Sequence, residues 1–192
     1  MLLAHLVSDY ILQPDKLVEW KNRSPWGLFV HASIHFLFAN LVLFLYTGNW
    51  QVVFPALLLA IFHFTIDGVK AAHDRAGGHG GIYYWLDQFA HYLSILLVAL
   101  LTWQFNGLFA ARSWRFANVL DQLFFNPLLI TFACLAIFVT LTVEYGGPAF
   151  QGKNKNARLD FKKMIKRLFL ATIVYFGLLF ALVPGVGVYF GG

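Results

Sequence analysis

The chain has 192 residues, of which 59% are apolar and only 12% charged, with a formal net charge of +5 at neutral pH and a mean hydropathy of +0.66. No ordinary soluble domain has that balance, so the composition excludes a water-soluble enzyme and specifies an all-α, polytopic transmembrane helical bundle. A single cysteine, Cys134, excludes an internal disulfide and any thiolate-based metal site.

Taken in chain order, the first expected element is a short helix A over residues 1–13, too short to span at about 1.5 Å per residue and expected to enter the bilayer only part of the way. It lacks a basic leader and a small-residue cleavage site, and it carries His5 and Asp9, so it reads as part of the mature fold rather than a signal peptide. A polar loop with Asp15, Lys16, Glu19, Lys21 and Arg23 follows. Five apolar runs are then long enough for about 30 Å of hydrocarbon: helix B over 26–46, C over 50–71, D over 82–104, E over 123–143 and F over 168–189. Between D and E, residues 107–120 alternate Phe, Leu and Trp with Arg112 and Arg115, the pattern of an amphipathic helix on the outer surface. Residues 1–105 are expected to form the metal-site helical bundle of helices A to D, and 106–192 the amphipathic outer segment and two further, almost purely apolar transmembrane helices of the same membrane domain.

The basic residues set the orientation, because short cytoplasmic loops are enriched in Lys and Arg. Lys153, Lys155, Arg158, Lys162, Lys163, Lys166 and Arg167 put the E–F loop inside. The same threading puts Lys16, Lys21, Arg23, Lys70 and Arg75 inside, and leaves only Arg112 and Arg115 of the fourteen basic residues outside. Trp26, Tyr83, Tyr84 and Trp85 at one face, with Trp50, Trp103 and Trp114 at the other, match interfacial aromatic belts. The cluster 152–167 is accounted for by this rule and by anionic head groups. No nucleic-acid module accompanies it, so no nucleic-acid partner is expected.

Four places in the first half set two metal-ligand residue types four apart: His5 with Asp9, His31 with His35, His63 with Asp67, and Asp87 with His91. On a helix, i and i+4 share one face. Measured from the cytoplasmic end of its own helix, every pair lies roughly 6 to 14 Å deep, and short loops make A to D antiparallel neighbours. The plain alternative is chance, since sixteen His, Asp and Glu residues produce about one such pair at random, and Asp15 with Glu19 is one on a solvated loop. Eight ionisable groups at one depth are a different matter. An acid costs at least about 2.5 kcal/mol at mid-membrane, and such groups are normally functional.

Five imidazoles and three carboxylates supply donors for one or two divalent transition-metal ions, with zinc favoured and iron second. A carboxylate can bridge two ions, and a bound ion lowers the pKa of its water toward neutrality, a route to hydrolysis. Lys70 is the candidate catalytic side chain, placed to meet a phosphate, with snorkelling at a helix end as its plain alternative. Gln13 and Gln88 are candidates for orienting ligands or binding substrate. Glu144, and the glycine-rich turn with His79 that follows His73, are further groups near the same face.

In order, HLVSDYILQ, HASIH, HFTID with Lys70, and DQFAH resemble the core of an uncharacterised family of bacterial and phage integral-membrane proteins, over roughly residues 1–101. The resemblance implies no reaction. Paired His and Asp in short membrane helices also have a looser likeness to inner-membrane proteins described as metal-dependent hydrolases. The resulting expectation is a metal-dependent hydrolase of the bacterial cytoplasmic membrane, its site near the cytoplasmic side, acting on a phospholipid- or isoprenoid-phosphate-like amphiphile. A di-iron oxidase or desaturase and a divalent-metal transporter are the alternatives. A homo-oligomer is possible, although small-residue stripes are not prominent in the spanning runs.

Overall fold

The computed structural model describes residues 1–77, 81–103, 126–143 and 161–182, and every regular element among them is helical. The order is α1 (Leu2–Tyr10), α2 (Asp15–Arg23), α3 (Pro25–Thr47), a 3-10 turn (Trp50–Val52) leading into α4 (Val53–Arg75), α5 (Gly81–Trp103), α6 (Pro127–Ile137) continuing as a π turn (Phe138–Thr142), and α7 (Phe161–Leu182).

Local chemistry sets the ends of the long helices. At the start of α3 the Ser24 hydroxyl accepts from the Trp26 N–H at 3.2 Å, and Pro25 occupies the first position, where no N–H is needed. The same helix stops at Gly48, whose φ of 70° lies in the left-handed region that glycine enters without strain. Asn126 caps α6 by accepting from the N–H groups of Leu128 and Leu129, again ahead of a proline.

The short connections after Thr47 and Arg75 fold α3, α4 and α5 into antiparallel neighbours, with α4 in contact with both of the others. α1 packs on α3 and α6, and α2 lies across α3 and α4. Small residues let the backbones approach: Gly27, Ala32 and Ala39 are buried on α3, and Ala56, Ala60 and Ala71 on α4. The bundle is apolar outside and polar inside. Leu37, Phe54 and Leu100 are 63%, 62% and 59% exposed, whereas His31, His63 and His91 are 0%, 3% and 2% exposed. That inversion suits a hydrocarbon solvent, in which backbone and side-chain polarity must be satisfied internally.

Three helices, Pro25–Thr47, Trp50–Arg75 and Gly81–Thr102, are long and apolar enough to cross a membrane. They coincide with expected helices B, C and D. Runs E and F, expected over 123–143 and 168–189, are described only in part. The apolar helix Pro127–Thr142 is shorter, about 24 Å at the usual rise. α7 carries Lys162, Lys163, Lys166 and Arg167 in its first two turns, and its apolar part starts at Leu168, where run F was expected to start.

Two corrections concern the amino-terminal part. Helix A ends at Tyr10 rather than at residue 13. The expected loop after it is itself a helix, α2, started by Pro14 and anchored by buried Leu17; Asp15 and Glu19 are exposed on it, as expected. The amphipathic segment 107–120, Glu144, His79, and Lys153, Lys155 and Arg158 of the basic cluster lie outside the described residues.

α2 meets α3 through Gly27. A methyl group on its Cα would come within 2.5 Å of the Trp20 carbonyl carbon and 2.7 Å of the Lys21 nitrogen, both backbone atoms. Gly27→Ala is therefore expected to push α2 away and destabilise the fold by about 1–3 kcal/mol. Thermal unfolding of the detergent-solubilised protein reads this as a lowered midpoint, whereas Gly68→Ala, whose added carbon would meet only a flexible Leu28 methyl at 3.4 Å, should change it little.

Candidate metal centre

All four pairs turn their side chains into one place. His5, His31, His35, His63, Asp67, Asp87 and His91 are buried, and the Asp9 side chain is only 11% exposed. Asp9 and Asp67 are the two hubs. Asp9 Oδ1 lies 3.0 Å from His35 Nε2, 3.2 Å from His31 Nε2 and 3.7 Å from His63 Nε2, while Oδ2 lies 3.4 Å from His5 Nε2. Asp67 Oδ2 is 3.3 Å from His31 Nε2 and 3.5 Å from His63 Nε2, and its Oδ1 is 3.7 Å from His91 Nε2. The two shared imidazoles, His31 and His63, bring their Nε2 atoms to 2.9 Å.

Three overlapping sets of donors result: His5, Asp9, His35 and His63; His31, His63 and Asp67; and Asp67, Asp87 and His91, with the donor atoms of each set within 4.8 Å of one another. His63 belongs to two sets and Asp67 to two. Donors held about 2.1 Å from a tetrahedral ion are about 3.4 Å apart. The separations between 2.9 and 3.7 Å are of that size, and the imidazole–carboxylate mixture without sulfur suits zinc or iron.

The hydrogen bonding independently points to a ligand. His5 Nε2, His91 Nε2, His31 Nδ1, His63 Nδ1 and Asp87 Oδ1 are buried without a hydrogen-bond partner, each a cost of about 1–3 kcal/mol if nothing else engages it. His91 Nδ1 donates to the Asp87 carbonyl at 2.8 Å. That bond fixes the tautomer and leaves the Nε2 lone pair toward the cluster. His5 is buried with its Nε2 toward Asp9, and it is the neutral imidazole that ligates.

A second layer grips the ligands from behind. Lys70 Nζ donates to Asp87 Oδ2 at 2.8 Å and Gln88 Nε2 to the same oxygen at 3.2 Å, which leaves Oδ1 unpartnered. Lys70 is thus tied to a ligand rather than extended toward a head-group region. Gln13 donates to the Asp9 carbonyl at 3.1 Å and accepts from Lys21 Nζ at 2.9 Å. Lys21 in turn donates to Asp67 Oδ2 at 2.7 Å. Around Gln88, Tyr10 donates to Oε1 at 3.1 Å and meets the Tyr84 hydroxyl at 2.9 Å, Tyr92 reaches Oε1 at 3.4 Å, and Tyr84 donates to the Thr142 carbonyl at 3.0 Å.

Lys21 and the tyrosines were not among the sequence candidates. A signal existed for each. Lys21 is four residues after Leu17, the one buried position of α2, and Tyr84, Gln88 and Tyr92 form an i, i+4, i+8 stripe on α5. His73, by contrast, belongs to none of the three sets, and its ring packs 4.0 Å from that of Tyr83.

A small cavity with room for about one water molecule adjoins the imidazoles. It is lined by His5, His35, His63 and His91 together with Met1, Ala39, Leu59, Ser94 and Ile95. The unpartnered Nε2 atoms thus belong to residues that border a space where a small oxygen ligand fits.

The family model described as "Protein of unknown function (DUF3307)" matches residues 1–114, which hold all eight ligands as well as Gln13, Lys21, Lys70 and Gln88. No curated protein and no solved structure matches the chain.

If Gln88 orients Asp87, then Gln88→Ala should weaken metal affinity about 10- to 100-fold without abolishing binding. Competition of the purified protein with a chelating dye measures this, and Asn49→Ala, which is remote from the cluster, serves as the matched control.

Proposed function

The chain belongs to the DUF3307 family, which brings no reaction with it, and we propose from its site that it is an integral-membrane metal-dependent hydrolase. The supporting observation is the convergence of five imidazoles and three carboxylates, from four helices, into overlapping ligand sets inside an apolar-coated bundle. The site holds one or two divalent ions, zinc first and iron second. In this reading helices α3, α4 and α5 cross the bacterial cytoplasmic membrane, α6 and α7 belong to two further spans, and α1 enters part of the way.

The Pro25, Arg75 and Gly81 ends of the spanning helices face the cytoplasm, because Lys16, Lys21, Arg23, Lys70 and Arg75 gather there. The eight ligands then lie near the cytoplasmic leaflet. On the other side of them, Ala4, Ala39, Leu43, Val52 and Ala56 pack into an apolar plug, which favours an enzyme over a transporter. The substrate is an amphiphile, phospholipid- or isoprenoid-phosphate-like, whose head reaches the site while its tail stays in the bilayer.

A divalent ion there supplies electrophilic assistance and an acidified water. The chain supplies the rest. Asp9 and Asp67 hold the donors in register. His5 borders the cavity through which a water would reach the site. In the hydrolysis the water oxygen bonds to the ester centre, the bond to the leaving oxygen breaks, and that oxygen receives the proton. Lys70 Nζ, 2.8 Å from Asp87 Oδ2, is an ammonium available to charge developing on the departing group.

Elemental analysis of protein purified without chelators is expected to find one to two zinc or iron ions per chain. His63→Ala removes a donor shared by two sets, so at least half of that metal should be lost, with His31→Ala behaving similarly. Protein lacking any stoichiometric transition metal would overturn the proposal. A coloured, oxygen-consuming iron form would transfer it to the oxidase class, and metal flux into liposomes would transfer it to the transporter class.

A further inference from the structure

Lys21 and Lys70 are distinct from the eight ligands, yet each donates to a ligand carboxylate: Lys21 to Asp67 Oδ2 at 2.7 Å and Lys70 to Asp87 Oδ2 at 2.8 Å. They come from different helices, α2 and α4. Their side chains are 14% and 30% exposed, against 5% and 4% for the carboxylates they hold. An ammonium has three donors. Lys70 spends one on Asp87, and Lys21 spends one on Asp67 and one on Gln13.

The charge count of the centre shows what these cations are for. Three carboxylates and two ammonium groups sum to −1, with the imidazoles neutral as ligation demands. One divalent ion brings the total to +1, and two bring it to +3. Uncompensated charge of either size is costly inside a bundle of low dielectric constant. With two ions, a protein built only to hold metal would be better served without the lysines, at +1 rather than +3, whereas with one ion the lysines exchange −1 for +1. Their presence makes sense if an anion completes it.

We propose that the anion is a phosphate group bound between the metal centre and the ammonium groups of Lys21 and Lys70, an assignment that rests on the metal-dependent hydrolase reading. Phosphate fits the arithmetic at both loadings. A phosphodiester monoanion offsets the +1 of a one-ion centre, and a phosphomonoester dianion offsets most of the +3 of a two-ion centre. Its several oxygens can accept from two ammonium groups while another faces a metal. A zwitterionic head that leads with its ammonium would meet like charge. Lys21 and Lys70 are thereby specificity-determining residues, and the metal and phosphate bind with positive coupling, each supplying the charge that the other needs.

The test uses the full chain in phosphatidylcholine nanodiscs, titrated with zinc against a chelating dye in three arms: alone, with inorganic phosphate, and with phosphatidic acid in the disc. The wild type is expected to bind zinc about tenfold more tightly with phosphate or phosphatidic acid. Lys21→Met and Lys70→Met should still bind zinc but lose most of that gain, while Lys70→Arg should keep it. A response to phosphatidic acid alone identifies a lipid head group, whereas a response to inorganic phosphate identifies the free anion. Zinc binding that is indifferent to both anions overturns the inference while leaving the metal centre standing. Methionine variants that keep the full gain overturn the role of the lysines. Failure of the wild type to bind zinc or iron in any arm removes the hydrolase reading itself.

Discussion

Ionisable side chains enclosed by an apolar-coated bundle must find every partner within it, and the rest of the architecture follows from that requirement. One buried acid costs several kcal/mol, and three lie here within a few ångströms of five imidazoles. Only mutual satisfaction makes them tolerable. The i, i+4 spacing provides part of it, because it delivers two donors per helix at one level. Small residues provide another part: alanines on the buried faces of α3 and α4 let the helices approach closely enough for Nε2 and carboxylate oxygens to meet near 3 Å. A bundle packed on leucine at those positions would hold the same ligands too far apart.

The short α1 belongs to the same logic. It brings His5 and Asp9 to the level of the other ligands, and Asp9 is the residue that most other donors touch. The helix then stops at Tyr10, and α2 turns back across α3 and α4 to bring Lys21 onto Asp67. Gly27 is what that turn requires, since the backbone of α2 occupies the space a side chain would need. A conformational detail at one glycine is thus linked to the charge state of the centre 40 residues away in sequence.

Much of this was legible in the sequence. The apolar runs located α3, α4 and α5 to within a few residues, and the four ligand pairs read as one level are the residues that meet. Periodicity and spacing carry such information because they are properties of single helices. What the sequence concealed depends on relations between helices. Lys21 looked like an ordinary cytoplasmic charge because the segment containing it read as a loop; only the burial of Leu17 one turn earlier puts it on an inner face. Tyr84 looked like part of an interfacial belt, and its bonds to Tyr10 and Thr142 join residues 74 and 58 positions apart.

The π turn ties the apolar second half to the chemistry of the first. Tyr84 donates to the Thr142 carbonyl at its end, and from Tyr84 the contacts run through Tyr10 to Gln88 and so to Asp87. Protons in this chain are limiting. With Tyr84 donating to Thr142, the 2.9 Å contact between the hydroxyls requires the Tyr10 proton, which leaves Gln88 Oε1 to the longer bond from Tyr92; if Tyr10 donates to Gln88 instead, Tyr84 must release either Thr142 or Tyr10. Two arrangements therefore compete around the residue that donates to Asp87. Thr142 lies beyond the stretch matched by the family. The candidate ligands lie within the family domain, and the hydrogen-bonded chain behind Gln88 ends on a helix outside it.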